Sequence, residues 1–175
     1  MEYRLPTIND KDILKNYVIE HYSNYERSIS ASNGLTNMDY NKWVEKINRN
    51  SLEADDDWGK YLLYLVFDNN KLIGLLNIRY DLTDELRNKY GDIGYGVRPS
   101  ERGKGYATKM LKYALDICRE KNMSYVILGC YEKNIASNKV ITKNGGILYR
   151  DDIEIKKLSD AWEIELKENY YKIEL

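Results

Sequence analysis

Apolar residues recur at two different spacings along this chain, and the change from one to the other marks its elements. Ile13, Leu14, Tyr17 and Val18 share one face of a helix that Asn9 or Asp10 can cap. Tyr40, Trp43, Val44 and Ile47 repeat that spacing in a second helix, expected over about 38–47, after a turn at Asn33-Gly34. A short strand at 3–5 precedes both. The middle is strand-like: 60–68 and 71–80 alternate or run apolar and meet at Asn69-Asn70, a two-residue hairpin turn. A polar helix over 83–89 and a strand over 92–97 follow, the strand stopped by Pro99. A long helix over 105–121 buries Ala107, Met110, Leu111, Ala114, Leu115 and Cys118. The strand at 124–131 is wholly apolar at Val126-Ile127-Leu128, as a central strand should be. A helix over 136–143 ends at Asn144-Gly145-Gly146, and strands at 147–155 and 162–175 close the chain. This order predicts an α/β (α+β) mixed sheet with one strand–helix–strand crossover in its middle.

Composition narrows the picture. The 175 residues fit a single domain, 1–175, and no repeat or linker divides them. Hydrophobic residues at 43% and charged residues at 31% describe a globular chain. A net charge of −1 and the lack of a basic aromatic stripe argue against nucleic-acid binding. Cys118 and Cys130 match no zinc or dithiol spacing and read as reduced residues in or near the core. His21 is the only histidine, so a His-based triad or multi-His metal site is not expected, and its own place is at the surface or half-buried. No signal peptide or membrane-spanning stretch is evident, and the expected address is cytoplasmic.

The candidate chemistry sits in Gly94-Tyr95-Gly96-Val97-Arg98-Pro99-Ser100-Glu101-Arg102-Gly103-Lys104-Gly105-Tyr106-Ala107-Thr108. A strand ends, a glycine-rich loop turns, and a helix begins. The first amides of that helix lack intrahelical partners and lie at its positive end. Gly103 and Gly105 clear side chains from them, and Arg102 and Lys104 bring positive charge, a combination suited to a phosphate or pyrophosphate. A nucleotide-triphosphate loop is excluded, because Arg98 stands where its first glycine belongs and Gly105 where its Ser or Thr belongs. The dinucleotide fingerprint fails at Pro99 and at Thr108.

The remaining pattern, Arg102-x-x-Gly105-x-Ala107, resembles the acetyl-CoA loop of the GCN5-related N-acetyltransferase (GNAT) superfamily. Val97-x-Pro99 before it, and Asn134-x-x-Ser137 with Lys143-Asn144-Gly145 after it, extend the resemblance over nearly the whole chain. It implies a splayed, mostly antiparallel sheet of six to seven strands with helices on both faces, acetyl-CoA as co-substrate, no metal, and transfer of an acetyl group to a primary amine by direct attack. It also implies cofactor contacts from Val97, Arg102, Gly103, Lys104, Gly105, Tyr106, Ala107 and Thr108, with Asn134 offering its amide to pantetheine. Gly94 and Gly96 then suit a bulge or a close ligand approach.

Three tasks follow from the reaction: deprotonating the amine, polarising the carbonyl, and protonating the thiolate. An amide near Val97 is the expected carbonyl donor. Asp92 is the first candidate base, ahead of Glu101, Glu132 and ordered water. The family's usual tyrosine acid is replaced by Ile141, which leaves Tyr131 as substitute or the thiolate to depart unassisted. Tyr22, Tyr25, Tyr40 and Trp43, and the acids Glu53, Asp55, Asp56 and Asp57 before Trp58, are candidates for attracting a cationic acceptor. A small or amino-acid-like amine leads as acceptor. Protein or peptide acetylation and a non-catalytic acyl-CoA sensor are the alternatives, and a homodimer through the last strands is compatible with the sequence.

Overall fold

The computed structural model describes residues 1–54, 59–159 and 162–175. Asp55, Asp56, Asp57 and Trp58, expected in a loop, lie outside the described residues. The elements run β1 (Glu2–Arg4), α1 (Lys11–Ser23), α2 (Tyr40–Asn50), β2 (Lys60–Asp68), β3 (Lys71–Tyr80), α3 (Asp84–Tyr90), β4 (Ile93–Val97), α4 (Tyr106–Glu120), β5 (Tyr125–Tyr131), α5 (Ile135–Lys143), β6 (Ile147–Ser159) and β7 (Trp162–Glu174). Each expected element is present, with ends displaced by up to four residues. The β2–β3 turn forms as read: Asn69 and Asn70 both adopt left-handed φ, 48° and 62°, the pair of values a tight hairpin demands.

Among the described residues seven strands form two antiparallel ladders, β1-β2-β3-β4 and β5-β7-β6. They meet at one point. The Asp92 amide donates to the Ile127 carbonyl (2.7 Å), and the Ile127 amide donates to the Asp92 carboxylate (2.7 Å). Beyond this clamp no hydrogen bond joins β4 to β5 among the described residues, so the sheet splits as it passes from one ladder to the other.

Helices cover the two faces. On one, Met110, Leu111, Ala114 and Cys118 of α4 pack on Ile93, Val126 and Leu128. On the other, Leu14 and Tyr17 of α1 and Trp43, Val44 and Ile47 of α2 pack on Leu63, Leu65 and Leu75. Trp43 is fully buried and its indole N–H donates to the Ser32 carbonyl (3.0 Å), which pins the 24–39 segment over the sheet. Truncating such a side chain to Ala costs about 3–5 kcal/mol. Among the described residues no helix is long and apolar enough to cross a membrane.

The expected bulge at Gly94 and Gly96 is absent: the β3–β4 register runs without a shift from Gly74↔Val97 to Ile78↔Ile93. Gly96 answers instead to crowding, since a Cβ there would lie 2.9 Å from the Ser30 carbonyl oxygen.

Candidate active site

The loop between β4 and α4 leaves its amides open. α2, α3 and α5 start with side-chain caps from Asp39, Thr83 and Asn134, but α4 starts at Gly105, which has no side chain to cap it. Gly103 and Gly105 hold φ of 76° and 79°, and a Cβ built on either meets nothing within 4 Å. The first amide of this run with a backbone acceptor is that of Lys109, bonded to the Gly105 carbonyl (3.3 Å). Those of residues 103–108 have none among the described residues. Unpaired N–H groups at a helix N-terminus, with clear space above them, form a receptor for phosphate oxygens.

That loop ends a cleft of about 670 Å³ that runs into the split between β4 and β5, within the size of small-molecule sites. Its walls come from β4, β5, the start of α5 and the α4 loop. In the β3–β4 ladder the Arg98 amide bonds the Ile73 carbonyl (2.8 Å). Antiparallel alternation therefore turns Gly94 and Gly96 toward β3 as well, and leaves the main-chain groups of Ile93, Tyr95 and Val97 on the open edge. An extended amide-bearing chain can pair with that edge as an added strand would. Across the cleft, the Asn134 side-chain oxygen caps α5 through the Ser137 amide (3.1 Å), so its NH2 remains for another acceptor. Tyr95 and Ser137 share a hydroxyl hydrogen bond (2.8 Å) that ties β4 to α5 on the helix side of the split.

The loop cations are matched by carboxylates. Arg102 forks onto Glu26 (2.5 and 2.7 Å) and also donates to the Val97 carbonyl (3.1 Å). Glu26 takes a further contact from the buried His21 (2.8 Å), and the Arg102 guanidinium beside it draws its pKa down to about 2. His21 is thus interior rather than at the surface, and burial lowers its pKa. Lys104 and Lys71 both donate to Glu101, whose pKa they pull down to about 2. Two ammonium groups on one carboxylate leave an excess of positive charge beside the amides. The Tyr106 hydroxyl donates away from them, to Asp68 (2.8 Å). What this loop leaves free is its backbone N–H groups.

The sequence model of the family described as the acetyltransferase (GNAT) domain matches residues 3–147, most of the chain. The chain belongs to the GNAT acetyltransferase family. It is an acyl-CoA-dependent N-acetyltransferase, and enzymes of this family take acetyl-CoA as co-substrate. Solved structures share the fold at low identity. A yncA acetyltransferase from Salmonella typhimurium, solved with acetyl-CoA, is 16% identical with a TM-score of 0.71, covering 99% of this chain and 93% of its own. The Salmonella typhimurium acetyltransferase that modifies the N-terminal serine of a 50S ribosomal subunit protein is 19% identical, TM-score 0.69, covering 99% and 94%. The microcin self-immunity acetyltransferase MccE, solved with acetyl-CoA and AMP, is 16% identical, TM-score 0.70, covering 99% and 91%. No curated protein matches the sequence.

Against this GNAT frame the candidate residues separate. Val97, Arg102, Gly103, Gly105, Tyr106, Ala107, Thr108, Asn134 and Tyr131 all border the cleft. Lys104 adjoins it through Glu101. Asp92 does not. It is wholly buried at the clamp, where its carboxylate accepts the Ile127 amide and the Arg87 guanidinium (3.0 Å). Burial raises its pKa against those partners, but a carboxylate with no path to the cleft takes no proton from an acceptor there. The expectation of Asp92 as base is corrected to a fastening between the two ladders. Glu132 is tied to Lys167 outside the cleft (3.3 Å). Tyr40 and Trp43 are core residues, and Tyr22 and Tyr25 are exposed away from the cleft. Sequence reasoning missed Glu26, Ser30 and Glu168, which border the cleft from segments distant in sequence. No local motif marks them.

Proposed function

We propose that this protein, acting as a single domain over 1–175, moves the acetyl group of acetyl-CoA to the primary amine of a small or amino-acid-like acceptor by direct attack. One observation carries the reading: six amides without a partner among the described residues at a glycine-opened helix start, continuous with a strand edge that no other strand there pairs. The co-substrate supplies the activated thioester. The amides of residues 103–108 bind its pyrophosphate, the open edge of β4 orients its pantetheine, and the Asn134 NH2 adds a donor from the other wall. An amide on that edge near Val97 polarises the carbonyl, and Tyr131, at the cleft mouth, protonates the departing thiolate.

A small acceptor is favoured by the cover over the β4 glycines. Ser30 and Ala31 lie against Gly96 and Gly94 on the face away from α4, and so narrow the approach. A protein or peptide acceptor is the second reading, because Ile153, Ile155 and Ile164 stand exposed on the β6–β7 hairpin. The same exposed hairpin, with β6 at the sheet edge, supports a homodimer, which light scattering would test. Unpaired Cys118 and Cys130 suit a reducing, cytoplasmic setting.

The test is free-thiol release from acetyl-CoA with amino acids, polyamines and short peptides side by side. Turnover confined to peptides refutes the small-acceptor reading. Tight acetyl-CoA binding without any turnover makes the protein a sensor instead.

A further inference from the structure

Glycines line one face of the split. Ile93, Tyr95 and Val97 of β4, Val126, Leu128 and Cys130 of β5, and Tyr171 and Ile173 of β7 all turn toward α4 and α5. By alternation Gly94, Gly96, Gly129, Tyr131, Glu168 and Tyr170 face the other way. Three of these six carry no side chain; Ser30 and Ala31 cover Gly96 and Gly94, while over Gly129 lie only the side chains of Glu168 and Tyr170. Glu168 lies at its border. Its Oε1 would be 2.9 Å from a Cβ on Gly129, and its Oε2 accepts the Tyr170 hydroxyl (2.9 Å). A Cβ at 129 would require that carboxylate to move aside.

Among the described residues three carboxylates border the cleft: Glu26, Glu101 and Glu168. Glu26 is held by Arg102 and Glu101 by two lysines, and both are thereby weak proton acceptors. Among the described residues Glu168 has no cationic partner, only the Tyr170 hydroxyl on its own strand. The other groups around it are Tyr131 and Cys130 on β5, and Arg150, Asp152 and Glu154 on β6. Arg150 does not neutralise it, because its guanidinium lies over the Tyr170 ring, 4.1 Å from the centroid, and donates to the Asn88 carbonyl.

We propose that the acceptor lies in the cleft beside Gly129 as a protonated primary amine, and that Glu168 both holds its ammonium and takes its proton. The proposal rests on the acetyltransferase reading above. The ammonium gives one proton to the Glu168 carboxylate. The freed amine forms a C–N bond to the thioester carbonyl carbon and the C–S bond breaks. Tyr131 protonates the thiolate and the second proton leaves nitrogen to restore Tyr131, giving amide and free thiol, and Glu168 returns its proton to solvent. The carboxylate thus selects cationic amines over neutral or acidic ones.

The experiment compares wild type with Glu168→Gln and Glu168→Asp. Calorimetry measures acetyl-CoA binding. Thiol release is followed across pH 6–10 with the fastest amine of a primary-amine panel, or with water as acceptor where no amine reacts. Glu168→Gln is expected to bind acetyl-CoA within about twofold of wild type while kcat/KM for the amine falls about 100-fold at pH 7. Its rate should recover as pH approaches the amine's own pKa, with Glu168→Asp intermediate. Rates and pH profiles for Glu168→Gln that overlay wild type overturn the proposal and leave the transferase reading intact. Wild type that binds acetyl-CoA yet releases no thiol, even to water, also overturns it. Wild type that fails to bind acetyl-CoA overturns both.

Discussion

Replacing Gly105 with glutamate separates folding from cofactor binding. The residue holds φ at 79°, where a side chain costs about 1–2 kcal/mol of backbone strain. A Cβ there meets no atom within 4 Å, so no clash adds to that cost. Domains are stable by about 5–15 kcal/mol, and the variant should stay folded. Binding is another matter, because the new carboxylate rises into the space over the loop amides. Each amide–phosphate hydrogen bond is worth about 1.5–3 kcal/mol, so losing two removes about 3–6 kcal/mol. That weakens CoA about 100-fold to 10,000-fold, before repulsion between carboxylate and phosphate is counted. Gly145→Glu is the matched control. Gly145 has φ of 91° and equally open surroundings, but it caps the far end of α5 and does not border the cleft. Circular dichroism should show both variants folded. Calorimetry should show CoA binding lost only in Gly105→Glu. Equal CoA affinity in the two variants would refute the assignment of the loop.

Removing the clamp should cost stability rather than chemistry. Asp92→Ala strands the buried Ile127 amide and the Arg87 guanidinium, and a loss of about 3–5 kcal/mol is expected in denaturant unfolding. Asp92→Asn, which keeps an acceptor, should lose less and retain thiol release. Tyr131→Phe should lower kcat about tenfold or more without changing the acetyl-CoA affinity, and an unchanged kcat would leave the thiolate departing unassisted. Acid should loosen the segment after α1. The Glu26 pKa is depressed to about 2, so its pairing stabilises the fold above the unfolded carboxylate value of about 4.3 and is lost as pH falls toward 2. His21 acts in the same direction, because its pKa is lowered and the unfolded chain protonates first. Melting temperatures compared between pH 7 and pH 3 should fall less in Glu26→Gln than in wild type. The effect should be modest, since the pair is partly exposed.

Periodicity and turn chemistry in the sequence determined every element, the hairpin at Asn69-Asn70 and the glycine-opened start of α4, because each depends on residues within a few positions of one another. The open amides of the loop proposed to bind the cofactor were legible for the same reason, since they are consecutive in sequence. What lies across the split was not legible. Asp92 stands at the start of the motif strand, where a base was expected, and only its contact with Ile127, thirty-five positions away, turns it into a clamp. Glu168 carries no motif, and it reaches the cleft because β7 pairs with β5 in a register that sets it opposite Tyr131. The partner that ties up Arg102 was equally hidden, Glu26 lying on a distant loop. Ladder pairing and burial are non-local, and they decide which of many carboxylates meets water, a cation or the cleft.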